Sequence, residues 1–138
     1  MARLIGGVLA GIVVAVAAIF AVALAGHQFY PLREAGLGDS EAVAALVASL
    51  PLGAFLFVAA AWTAGGFAGG LTAALLSGRV GAAWLIGALV AALGIANVFL
   101  YPHPEWMQVS AVIAPAVGAL VAGHIARGRL AARAAAAA

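Results

Sequence analysis

The chain has 138 residues, of which 67% are hydrophobic and 7% are charged, and it contains no cysteine. Soluble domains carry about 25% charged residues, and a domain of this size exposes much of its surface. These values exclude a water-soluble fold, disulfides and thiolate chemistry, and they predict a protein embedded in the lipid bilayer. The net charge of +2 reflects six arginines against four acids. The positions of these charges matter more than their sum, and no nucleic-acid partner is expected.

Four uncharged stretches define the predicted membrane spans in chain order. A spanning helix needs about 20 apolar residues. The first stretch predicts a span over residues 4–26, and the last two predict spans over residues 80–100 and 106–126. The second stretch, residues 42–78, is too long for one span and too short for two spans with a turn.

Pro51 divides the second stretch. Proline disrupts helix interiors, and the residue before it avoids helical geometry. The second span is therefore predicted over residues 51–77, after a short interfacial helix over about residues 40–49. The short helix carries one apolar stripe at helical spacing, formed by Val43, Leu46, Val47 and Leu50. The alternative is a single long helix that is kinked at Pro51.

The arginines predict the topology. With the N-terminus inside, only Arg33 lies outside, and all four acids lie outside with it. Arginine in short loops marks the cytoplasmic side. We expect an all-α, polytopic membrane protein, with both termini cytoplasmic and four transmembrane helices in one bundle. Residues 1–130 form the single domain, and residues 131–138 form an alanine-rich cytoplasmic tail.

Glycines are dense in the second span. Lipid provides no hydrophobic drive between helices, so small residues decide where backbones approach closely. The glycines singled out on this ground are Gly65, Gly66, Gly69, Gly70 and Gly118. They are predicted to pack helices within the bundle, or to associate with a second copy or a larger membrane complex.

Polar side chains gather near the predicted outer face. The candidate pocket there consists of His27, Tyr30, Asn97, His103 and Glu105. Two histidines and a carboxylate could bind a divalent metal, and a histidine beside a glutamate could relay protons. The alternative is that these side chains anchor helices at the headgroup level. No metal or cofactor is expected, and His27 and His103 are the candidate ligands if a metal is held.

Trp62 lies near the middle of the second span, about 16 Å below Pro51 by helical rise. It either packs against helices and acyl chains or lines a cavity. No predicted span contains a charged residue, which argues against an ion-coupled transporter. Motifs of phosphate-binding loops, zinc proteases and nucleophile elbows do not occur. The chain is therefore predicted not to be an enzyme.

Several short motifs resemble those of small four-span bacterial inner-membrane proteins of unknown function. The motifs are Gly26-His27 with Tyr30-Pro31, Ser49-Leu50-Pro51, Ala61-Trp62 with Gly65 and Gly69-Gly70, and Pro102-His103-Pro104 with Trp106. The likeness covers about residues 4–126. It implies the architecture and a location in the bacterial inner membrane, and it supplies no mechanism.

Two functions are open at this point. The first is a non-catalytic accessory or structural subunit that packs through its glycine-rich faces with itself or with a larger membrane complex. The second is a membrane protein that handles a small molecule, a metal or protons in a periplasm-facing polar pocket. The dense small residues and the lack of a catalytic motif favour the first function.

Overall fold

The computed structural model describes residues 1–31 and 40–138 and has five α-helices in this part of the chain. In chain order they are α1 (Ala2–Phe29), α2 (Ser40–Ala48), α3 (Leu52–Ser77), α4 (Gly81–Leu100) and α5 (Glu105–Ala136). The described residues form no strand, and the predicted all-α fold class is confirmed. Arg33, which entered the topology prediction, lies outside the described residues.

Four of the helices, α1, α3, α4 and α5, are long and apolar enough to cross a membrane. The shortest of them has 20 residues, or about 30 Å of helix, which equals the hydrocarbon thickness of a bilayer. The chain therefore has the architecture of a multi-pass membrane protein. The last helix, α5, continues to Ala136, so most of the alanine-rich tail extends this helix.

The helices α2 and α3 are separate because Pro51 lies between them in an extended conformation, with φ −71° and ψ 158°. A proline in this position begins a helix well and cannot continue one. Val47 and Leu50, at the end of the apolar stripe predicted for α2, pack against the hydrophobic core. These side chains connect the end of α2 to the bundle, while the described backbone of α2 packs closely against none of the four long helices.

Helix α3 is the centre of the bundle and packs against α1, α4 and α5. A Cβ added to Gly7 would meet Ser77, and one added to Gly26 would meet Phe57, so α1 and α3 run antiparallel. The C-termini of α1 and α4 therefore lie at the same end as the N-termini of α3 and α5. We call this the polar end. The opposite end, the arginine end, carries Arg3, Arg79, Arg127, Arg129 and Arg133.

All five glycines that were predicted to pack or associate are buried inside this chain. A Cβ on Gly65 or Gly69 would collide with α1, and a Cβ on Gly66 would collide with Pro115 of α5. Gly118 forms the α5 side of the same contact, because a Cβ added there would collide with backbone atoms of α3. Gly70 faces alanines of α4 and α5. Of the two predicted roles, these glycines pack helices within the bundle, and an association with a partner would need another surface.

Candidate functional site

A cavity of about 500 Å³ lies between α1, α3 and α4 at the polar end. Pockets for small molecules measure about 300–1,000 Å³ and have mostly apolar walls with a few polar groups. The walls here follow this pattern. Their larger apolar side chains are those of Val16, Ile19, Phe20, Phe57, Val58, Val90 and Leu93.

The cavity exists because α1 and α4 both pack on α3 but barely touch each other. Side chains of α3 form the floor between them, and two of these are only alanines, Ala54 and Ala61. At these two positions the chain offers little side-chain volume to fill the groove. A space of molecular size is left.

The mouth of the cavity opens sideways, between α1 and α4. Among the lining residues, Val16, Phe20 and Leu93 expose 43%, 64% and 63% of their surface, respectively. These side chains belong to the two helices that flank the gap, on segments long and apolar enough to lie in a membrane. A molecule dissolved in the hydrocarbon region would therefore reach the cavity without passing through water.

Four polar side chains line the cavity. His27 and Tyr30 come from the end of α1, Asn97 comes from the last turns of α4, and Trp62 comes from α3. None of the four side chains makes a hydrogen bond with any described residue. In the described residues, however, no buried side-chain nitrogen or oxygen atom lacks a hydrogen-bond partner. The polar atoms of Tyr30, Trp62 and Asn97 therefore have open space next to them.

Tyr30 is held over the first turn of α3 by local packing. Its ring meets the ring of Phe57 edge-on, with centroids 6.1 Å apart, and Phe57 stacks on Phe29 at 5.7 Å. A Cβ on Gly53 would collide with the Tyr30 hydroxyl. Glycine at position 53 is therefore what allows the tyrosine to lie there.

Trp62 lies at the floor of the cavity, with only 6% of its surface exposed. Both alternatives left open by the sequence apply, because the ring packs in the hydrophobic core and also lines the cavity. The indole N–H is a donor and cannot accept a hydrogen bond. It lies about 15 Å along α3 from the start of that helix, so it adds a polar atom far from the polar end.

His103 and Glu105 do not line the cavity, although the sequence grouped them with the three residues that do. The His103 ring packs edge-on against Phe55, with centroids 5.7 Å apart, and its Nδ1 lies 2.9 Å from the carbonyl oxygen of Tyr101. A carbonyl can only accept, so Nδ1–H donates in this bond. Glu105 is exposed in the first turn of α5, where its carboxylate interacts favourably with the positive end of the helix dipole.

The candidate metal ligands His27 and His103 therefore lie in different settings, one at the cavity and one against Phe55. In the described part of the chain, no three His, Asp or Glu residues come together as a possible metal site.

Comparisons with known proteins gave no match, whether with protein-family models, curated proteins or solved structures. The resemblance to small four-span bacterial membrane proteins stays an expectation. The cavity is therefore the feature from which a function has to be inferred.

Proposed function

We propose that this protein binds a lipophilic small molecule, taken up from the membrane, in the cavity between α1, α3 and α4. The observation that carries the proposal is the combination of a molecule-sized apolar cavity with unpaired polar side chains on its wall. In the hydrocarbon region no water is present to replace a missing partner, so the unpaired indole N–H of Trp62 costs free energy there. A bound amphiphile would supply the missing hydrogen bonds.

The walls support binding better than catalysis. The described lining contains no carboxylate and no lysine or arginine, and its one histidine, His27, has no carboxylate or hydroxyl bonded to it. General acid–base chemistry needs such groups within hydrogen-bond reach of each other. A small-molecule-binding role is therefore the better-supported form of the pocket hypothesis, ahead of the metal-binding and proton-handling forms.

The proposal includes an orientation. The arginine end carries all of the arginines in the described residues. Because arginine in short loops marks the cytoplasmic side, we place this end in the cytoplasm of a bacterial cell. The cavity then lies in the periplasmic half of the inner membrane. Cysteines introduced at Gln28 and Gly128 would test this, since only the first should react with a membrane-impermeant thiol reagent in intact cells.

The accessory-subunit hypothesis has less support, because the glycines that suggested it are covered by this chain's own helices. Cavity binding and membership in a complex do not exclude each other. The mass of the purified protein in mild detergent would reveal an oligomer or a retained partner.

Tryptophan fluorescence tests the cavity directly. Replacing Trp84 and Trp106 by phenylalanine leaves Trp62 as the only tryptophan, at the floor of the cavity. A brominated fatty-acyl methyl ester quenches an indole that it contacts. We expect saturable quenching of the Trp62 emission in the detergent-solubilised protein.

The matched variants are Ala23→Phe and Ala25→Phe, made on the Trp62-only protein. Ala23 lines the cavity, whereas Ala25 is exposed on the same helix away from it. We expect Ala23→Phe to weaken the ester by about tenfold, which corresponds to ~1.4 kcal/mol, and Ala25→Phe to leave it unchanged. Quenching that rises linearly with the probe and is equal in both variants would show partition into the detergent, and the proposal would be wrong.

A further inference from the structure

We infer that the cavity selects an uncharged amphiphile whose polar end carries hydrogen-bond-accepting oxygens, such as an ester or ketone carbonyl. This inference rests on the proposed function and adds the chemical class of the ligand to it.

The hydrogen-bonding groups of the wall favour an acceptor. The Trp62 indole can only donate, whereas the hydroxyl of Tyr30, the amide of Asn97 and the ring of His27 can each donate as well as accept. A carbonyl oxygen has two lone pairs and can satisfy any of these four groups. A ligand that offers only donors would leave the Trp62 N–H without a partner.

The charges of the wall disfavour an ion. The described lining has no arginine or lysine to pair with a carboxylate or phosphate, and no acid to pair with an ammonium group. An ion that enters an apolar site without a counter-charge loses its hydration and gains little in return. An uncharged head has a far smaller desolvation cost.

Aromatic rings could attract a cation without any carboxylate, and four of the lining residues are aromatic. Two of these rings, at the polar end of the cavity, are already engaged. Phe57 stacks on Phe29 and meets the Tyr30 ring edge-on. Among the described residues, the rings of Phe20 and Trp62 have no such ring partner, so a cation over one of them is the competing occupant, which the ammonium probe below tests.

The placement of the polar groups gives the ligand a direction. His27, Tyr30 and Asn97 lie near the helix ends, whereas Val16 lies about 16 Å further along α1 by helical rise. We place the oxygen-bearing head between these three residues and Trp62, whose N–H requires an acceptor, and the hydrocarbon tail toward Val16.

A panel of four probes tests the head group. All carry the same brominated chain and end in a methyl ester, a carboxylate, a quaternary ammonium group or a plain hydrocarbon. Each is titrated into the Trp62-only protein at a pH where the carboxylate is ionised. We expect saturable quenching by all probes that enter, with the ester binding roughly five- to tenfold more tightly than the other three, as one or two hydrogen bonds allow.

Two variants tie this preference to the wall. Asn97→Leu removes the amide, and Tyr30→Phe removes a hydroxyl while keeping the ring. Each should weaken the ester roughly fivefold and leave the hydrocarbon probe unchanged. Gln108→Leu is the matched control, because it removes an exposed amide on α5 that does not line the cavity.

The outcomes separate the inference from the proposed function. A carboxylate or ammonium probe that binds more tightly than the ester overturns the inference and keeps the cavity as a binding site. The same holds if the hydrocarbon equals the ester, or if Tyr30→Phe and Asn97→Leu weaken ester and hydrocarbon alike. If no probe quenches saturably, the proposed function and the inference both fall.

Discussion

The groove between α1 and α4 is closed in one half of the molecule and open in the other. In the half toward the arginine end, Ile86 of α4 is 1% exposed and reaches into the space beside Gly11 and Gly69. In the half toward the polar end, Val90 and Leu93 of the same helix border a cavity of about 500 Å³. Both halves share one floor, α3. The side chains at a few positions therefore decide whether the groove contributes to packing or to binding.

The closed half depends on small residues that let α1 and α3 touch. A Cβ on Gly69 would come within 2.5 Å of the Gly11 carbonyl oxygen, so the two backbones are in direct contact there. Ala73 is fully buried next to them. In membranes such close contacts replace the hydrophobic drive that packs soluble helices. Added volume should therefore be costly here and harmless beside the cavity.

The largest difference is expected between Ala73→Leu and Ala54→Leu. Ala73 is fully buried against α1, and overpacking of this kind costs about 3 kcal/mol, the upper part of its usual range. Ala54 is half-buried and lines the cavity, so the added methyl groups enter open space. We expect its unfolding free energy to change by less than about 0.5 kcal/mol. Unfolding by SDS, followed by circular dichroism, measures both values.

Equal losses in these two variants would contradict the comparison, because they would mean that the cavity half is as tightly packed as the closed half. The probe titration supplies a second readout. Ala54→Leu should weaken the brominated ester, whereas Ala73→Leu should not change its affinity in the fraction that remains folded.

Much of this fold could be predicted from the sequence. The lengths of the uncharged stretches and the position of Pro51 identify the helices, because bilayer thickness and proline geometry act locally. The sequence also singled out α3 through its glycines. It could not show that Gly65 and Gly69 face α1 while Gly66 faces α5, since this depends on the rotation of the central helix between its neighbours.

A single methyl group provides a finer test of the closed half. Gly69→Ala gains up to about 1 kcal/mol of helix propensity but drives a Cβ into the Gly11 carbonyl oxygen. We expect a net loss of about 1 kcal/mol, because the collision is with backbone that cannot move aside. The same unfolding assay measures it.

Gly6→Ala is the matched control. It lies in α1, and a Cβ there meets nothing within 4 Å. This variant should be neutral or up to about 1 kcal/mol more stable, since only the propensity term remains. The two substitutions should therefore change stability in opposite directions. If Gly69→Ala stabilised the protein instead, α1 would not pack against α3 in the purified protein.

The site was only partly predictable. His27, Tyr30 and Asn97 were identified because chain topology brings the ends of α1 and α4 to one level. The apolar walls were missed, since Val90 and Phe57 look like ordinary lipid-facing or packing residues in the sequence. A cavity depends on the volume that three separate helices leave unfilled, and residue spacing within one helix carries no record of that volume.

The loop before α5 provides the smallest and last test. The sequence placed His103 in the pocket, but in the structure its ring packs on Phe55, and Phe55 also meets Trp106 edge-on at 6.4 Å. His103→Ala removes one edge-on ring contact, which is worth about 0.5–1.5 kcal/mol. We expect a loss at the lower end of this range, because the residue is only half-buried. The affinity for the ester probe should not change, and added Zn²⁺ should shift the unfolding of the wild type and the variant equally.

His27→Ala is the informative partner: it should weaken the binding of the ester without a comparable loss of stability. If His103→Ala weakened the ester instead, the loop would have to reach the cavity, and the division between the packed loop and the open groove would be wrong.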